Sequence, residues 1–176
     1  MTKSNRHTTL LVIDVQQGLF QKTTPLYRAR EVLANINLLV ERAHAAHAPV
    51  VYIQHSTEKN LVEGTDEWKL HPAIQPEPRD IMIRKHHGNA FEDTPLKEKL
   101  DALHVDRVVV TGLVSNGCVN ATCNGAHELG YDTVLVSDAH STYREDAEAV
   151  VTEYNARLSA GGVVRLQTTA EVSFTD

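Results

Sequence analysis

The chain has 176 residues, 41% of them hydrophobic and 23% charged, which suits one compact domain around a single core. A formal net charge of −6, with Arg28, Arg30, Arg79, Arg84 and Lys85 scattered, argues against a phosphate-tracking surface and so against a nucleic-acid partner. "MTKSNRH" is polar and "TTLLVIDV" too short to span a bilayer, so a cytoplasmic protein with no membrane partner is expected, with Cys118 and Cys123 as free thiols.

Short β-branched apolar runs alternate with stretches of helical period, the pattern of βαβ units. Strands are predicted at Leu10–Val15, Val50–Gln54, Ile81–Arg84, Arg107–Thr111, Thr133–Val136 and Val163–Leu166. After the first strand, Val32, Leu33, Ile36, Leu39, Val40 and Ala43 form one stripe of a helix over Ala29–Ala48, which Pro49 ends. The stretch His55 to Asp80, with Trp68 and three prolines, has no such period and reads as a lid or pocket wall. Further helices are predicted at Pro95–Leu103, Gly117–Leu129 and Arg144–Ala160, the last stopped by Gly161 and Gly162. The fold class that follows is α/β: a single three-layer αβα domain over 1–176, with an open, doubly wound, mainly parallel six-stranded sheet of Rossmann-like type. In such sheets ligands bind beyond the carboxyl ends of the strands, near the switch in strand order.

Three residues at strand ends carry chemistry. Asp14 ends the apolar run "LLVID", where a carboxylate needs a partner; steadying the next loop by accepting backbone N–H groups is the plain alternative. Lys85 closes "DIMIRK", and by itself reads as a solvated lysine at a strand end. Cys118 follows "TGLVSNG", with Gly112 ending the strand and Gly117 turning the chain into a helix. A free cysteine is often a small buried hydrophobe, which suits Cys123. At a helix N-terminus, however, backbone N–H groups and the macrodipole favour a thiolate, and are expected to lower the Cys118 pKa. A nearby ammonium would lower it further and a carboxylate could take its proton, so Asp, Lys and Cys form a complete nucleophilic set.

With these residues the chain resembles the isochorismatase-like cysteine hydrolases, which include nicotinamidases and carbamoylsarcosine amidohydrolases. The likeness runs through "LLVIDVQQGLF", "IMIRKHHGNAFEDTPL" and "VVVTGLVSNGCVNATCNGAHELGYDTVLVSDAHST", in that order and over nearly the whole chain. It implies a catalytic triad of Asp14, Lys85 and Cys118. Cys118 would attack an amide or ureido carbonyl, Asp14 would relay the proton to the leaving amine, and water would hydrolyse the thioester. It further implies a non-proline cis peptide at Leu113–Val114 and an oxyanion hole made of the Val114 and Cys118 N–H groups. A small-molecule substrate and a homo-oligomer, dimer or tetramer, are implied in the same way.

Nicotinamidases bind a metal through Asp-x-His after the second strand, whereas this chain reads "VVYIQHSTEKN"; no metal and no cofactor are expected. His55 and His71 are loop histidines that could line the pocket. Phe20, Gln54, Trp68 and Phe91 are the candidate substrate contacts, with core packing an equal reading for the two phenylalanines. Isochorismatase proper cleaves a vinyl ether without a cysteine nucleophile, so Cys118 favours the amidase branch over ether hydrolysis or a non-catalytic binding module. A dinucleotide enzyme is set aside because "IDVQQGLF" lacks the Gly-x-Gly-x-x-Gly turn.

Overall fold

The computed structural model describes residues 7–175. Its six strands are β1 (Thr8–Ile13), β2 (Val50–His55), β3 (Ile81–Lys85), β4 (Arg107–Leu113), β5 (Asp132–Ser141) and β6 (Arg165–Gln167). They form one sheet in the order β3-β2-β1-β4-β5-β6 with every pairing parallel. The helices are α1 (Gln17–Phe20), α2 (Ala29–Ala45), α3 (Leu96–Ala102), α4 (Asn120–Glu128) and α5 (Ala147–Ala160). No helix among the described residues is long and apolar enough to cross a membrane.

The sheet is covered on both faces, as continuous apolar strands require. On one face Val32, Ile36, Leu39, Val40 and Ala43 of α2 pack on Leu10, Val12, Val50 and Tyr52. On the other, Leu96 and Leu100 of α3, Cys123 and Ala126 of α4 and Leu158 of α5 pack on Leu11, Ile13, Val51, Ile53 and Ile83. Alternation along β1 and β2 sends successive side chains to opposite faces and so builds both cores from the same strands.

Several boundaries differ from the expectation. β4 runs past Gly112 to Leu113, and its register on β5 slips between Val110 and Gly112. Gly112 has φ +114°, and a Cβ there would fall onto the Ile13 backbone, so the strand passes β1 only because this residue is glycine. β5 continues through the polar "SDAHS" to Ser141, while β6 starts only at Arg165. The helix predicted from Gly117 divides into a π-type turn, Ser115–Val119, and α4. Short α1 is unpredicted; it is held by backbone bonds from Gln17 to Lys69 and from Gly18 to Glu67 of the long irregular segment.

Candidate active site

β1 and β4 lie side by side at the sheet's switch point, and the residues after them face each other across it. Asp14 has φ 52°, a left-handed conformation that Asp tolerates better than most residues. Simple alternation would carry its side chain to the α2 face after Val12. The kink breaks the alternation, so that Val15 joins the α2-side core while the Asp14 carboxylate reaches Lys85. His55 and Lys85 need no such device, because period two places them on the same face as Ile53 and Ile83.

Lys85 is completely buried, and its ammonium is the hub of the site. Nζ lies 3.0 Å from Asp14 Oδ2 and 3.1 Å from Cys118 Sγ. It also lies 2.7 Å from His55 Nδ1 and 3.1 Å from the His87 carbonyl oxygen. Four acceptors surround three N–H hydrogens, so at least one is shared. Because lysine only donates, His55 Nδ1 is the acceptor and the imidazole hydrogen is assigned to Nε2. Burial, with Lys85 adding, pulls the His55 pKa down to about 4, so the ring is neutral at pH 7.

Burial raises the Asp14 pKa in spite of the attraction of Lys85. Oδ1 of Asp14 is the only buried side-chain nitrogen or oxygen among the described residues without a hydrogen-bond partner. The Cys118 thiol is pushed up to about 12, first by burial and then by the Asp14 charge, with Lys85 opposing both. This corrects the expectation of a lowered thiol pKa. The regular helix begins only at Asn120, and Gly117 (φ −129°, ψ −112°) breaks the helical path before Cys118, so the macrodipole argument does not carry over. Burial and the neighbouring Asp14 both favour the neutral thiol. Moving one proton from Sγ to Asp14 would leave the net charge around Lys85 unchanged.

The turn holding Cys118 is tied to β5 and α5. Ser115 Oγ is 2.8 Å from His140 Nδ1, and His140 Nε2 is 2.8 Å from Asn155 Oδ1. Thr142 Oγ1 donates to Asn116 Oδ1 at 3.0 Å. The Leu113–Val114 peptide is cis. Asp14, His55 and Cys118 offer metal-type ligand atoms within 4.8 Å of one another. The Lys85 ammonium touches all three at 2.7–3.1 Å, so a metal ion there would have to displace a buried positive charge. The donor set does not fit one.

The other candidates are dispersed. Gln54 follows Tyr52 to the α2 face, away from Cys118, and donates to the Trp68 carbonyl at 3.0 Å. Trp68 donates through Nε1 to Ser56 Oγ at 2.9 Å, with the Arg84 guanidinium 5.4 Å from its ring centre. Phe20 packs on His71 with ring centres 4.4 Å apart. Phe91 stacks on Tyr131, just beyond the end of α4, with ring centres 5.6 Å apart. Cys123 is buried in the core. Two further residues contribute to the site. His55 was read as a loop residue, although it is the last residue of β2. Gln16, fully buried, donates to the His55 and Trp68 carbonyls and accepts from the His55 N–H, pinning the long segment beside the site. The signal for both was weak: Gln16 and His55 are each the second polar residue after an apolar run, behind Asp14 in "LLVIDVQ" and Gln54 in "VVYIQH".

Comparison with known proteins follows the same outline. The sequence model of the isochorismatase domain matches residues 8–168. Streptothricin hydrolase of Streptomyces noursei is 39% identical over 136 residues, covering 76% of this chain and 49% of that one. The chain thus spans about half the length of the streptothricin hydrolases it matches. Maleamate amidohydrolase of Pseudomonas putida is 28% identical over 163 residues, covering 80% of this chain and 76% of that one. The crystal structure of an isochorismatase family protein superposes with a TM-score of 0.87 at 31% identity, covering 94% of this chain and all of that one. On the extent of the domain match and these relatives, the chain belongs to the isochorismatase family.

Proposed function

We propose that the protein is a cysteine amidohydrolase that cleaves a small carboxamide or ureido C–N bond through a thioester on Cys118. The observation that carries this reading is the Lys85 ammonium within 3.1 Å of both the Cys118 sulfur and the Asp14 carboxylate, at the switch point of the sheet. The relatives named streptothricin hydrolase, maleamate amidohydrolase and ureidoacrylate amidohydrolase support the same bond class.

In this mechanism Asp14 accepts the Cys118 proton as the sulfur attacks the carbonyl carbon. Its raised pKa makes it a competent acceptor, and Oδ1 has no other partner to give up. The S–C bond forms and the carbonyl π pair moves onto oxygen, where the N–H groups of Val114 and Cys118 receive it. The C–N bond then breaks as Asp14 returns the proton to nitrogen, releasing an amine or ammonia. Water adds to the thioester, giving a proton to Asp14, and the S–C bond breaks as Asp14 passes that proton to sulfur, releasing the carboxylic acid and restoring the thiol. Lys85 holds sulfur and carboxylate together in both charge states. The reaction uses protein groups alone, without metal or cofactor.

The test is ammonia release from a panel of carboxamides, ureido acids and carbamates. Turnover of one class by the wild type, lost in Cys118→Ala and severely cut in Asp14→Asn, is the expected result. Equal losses in Cys118→Ala and Cys123→Ala would point to damaged folding and against the reading.

A further inference from the structure

His55 is tied to the triad yet belongs to none of the proposed chemical steps. Its Nδ1 is committed to the Lys85 ammonium at 2.7 Å, which leaves the ring hydrogen on Nε2. Among the described residues nothing accepts from that Nε2–H. Nor is the nitrogen sealed away, since the side chain is 18% exposed and the buried unpartnered atoms do not include it. Nδ1 is 3.8 Å from Cys118 Sγ, so the opposite side of the same ring lies within one small molecule's reach of the sulfur. Lys85 therefore does two things: it holds the nucleophile and fixes the tautomer of a neutral donor at the mouth of the site.

We propose that His55 Nε2–H is a specificity-determining donor that recognises a substrate carrying an acceptor oxygen two or three bonds from the reacting carbon. With that carbon about 3–3.5 Å from sulfur in a near-attack pose, an oxygen at this remove can meet the ring edge. Carboxamides with an α-oxygen or a second carbonyl, and N-acylureas, carry such a group; simple alkyl amides do not. A charged imidazolium beside the Lys85 ammonium would lose the arrangement, which the low pKa of His55 avoids at neutral pH.

This inference rests on Cys118 being the nucleophile, and alkylation tests it without requiring turnover. Rates of Cys118 modification by iodoacetamide, which has an oxygen two bonds from the reacting carbon, and by iodoethane, which has none, are measured by mass spectrometry. Each ratio is normalised to that of N-acetylcysteine. The wild type should favour iodoacetamide, and His55→Leu should lower the ratio by roughly three- to tenfold, the effect of one hydrogen bond. His55→Gln, which can accept from Lys85 and still donate, should keep most of it. An unchanged ratio in His55→Leu, including the case where both reagents slow equally, would show that His55 acts through Lys85 alone and overturn the proposal. A ratio lost equally in His55→Gln would also overturn it. A chain that releases no ammonia but shows the predicted ratios would count against the hydrolase reading and leave this one standing.

Discussion

Replacing Lys85 by methionine removes the buried charge and keeps most of the side-chain volume. In the native protein the ammonium and the Asp14 carboxylate are 3.0 Å apart and both effectively out of water. Deleting one partner of such a pair typically costs about 3–5 kcal/mol, because the other is left buried and uncompensated. For a chain of this size 1 kcal/mol corresponds to about 2–4 °C, so Lys85→Met should melt roughly 6–20 °C lower at pH 8. Asp14 sets the sign of the pH dependence. Its folded pKa is already raised above the unfolded value, and losing Lys85 raises it further. The penalty for keeping it ionised is absent below the unfolded pKa of 3.8 and grows as pH rises through the folded one. The deficit of Lys85→Met relative to wild type should therefore be smaller at pH 5 than at pH 8. Adding Asp14→Asn should recover part of the loss, with a coupling of about 1–3 kcal/mol in urea titrations of the four proteins. Additive losses, or a deficit independent of pH, would refute the view that the two charges are one buried unit.

Gly112→Ala meets both the Ile13 backbone and an unfavourable positive φ, and should lose about 3 kcal/mol or more in a urea titration, or fail to fold. His140→Ala leaves Ser115 and Asn155 without their buried partner; on an ammonia-releasing substrate it should lower kcat more than it raises KM, since it loosens the Cys118 turn without touching the substrate. The folded chain favours neutral His55, whose pKa falls from 6.5 to about 4. That contribution is complete above pH 6.5 and is lost as pH drops towards 4, on the order of 3 kcal/mol. Denaturant midpoints for His55→Gln should accordingly vary less over this window than those of wild type.

The residues that the strands carry were the most legible part of the fold. Apolar runs such as "LLVI" and "VVYI" have one use in a doubly wound sheet, and the Asp and Cys that follow such runs fall at its switch point, where the Lys85 side chain reaches them from the edge strand β3. What escaped depends on tertiary partners. β5 extends into "SDAHS" because β4 lies beside it, pairing Gly112 with His140 and Leu113 with Ser141, a pattern no local propensity records. The Cys118 turn is of π type, and its thiol is governed by burial and Asp14, neither of which helix-terminus reasoning includes. Phe91 turned to Tyr131 because the "HHGN" turn packs on α4 at Gly125, where the Asn89 side chain leaves no room for a Cβ. His55 could be seen as a pocket candidate, but its bond to Lys85 spans 30 residues and a strand pairing.

The central claim is that Cys118 carries the acyl group. A substrate found by ammonia release should be mixed with enzyme in single turnover, quenched in acid and digested. The peptide containing Cys118 should gain the mass of the acyl fragment, hydroxylamine should remove it, and Asp14→Asn should not form it at a comparable rate. Normal ammonia release by Cys118→Ala, or turnover with the acyl mass on another residue, would contradict the claim.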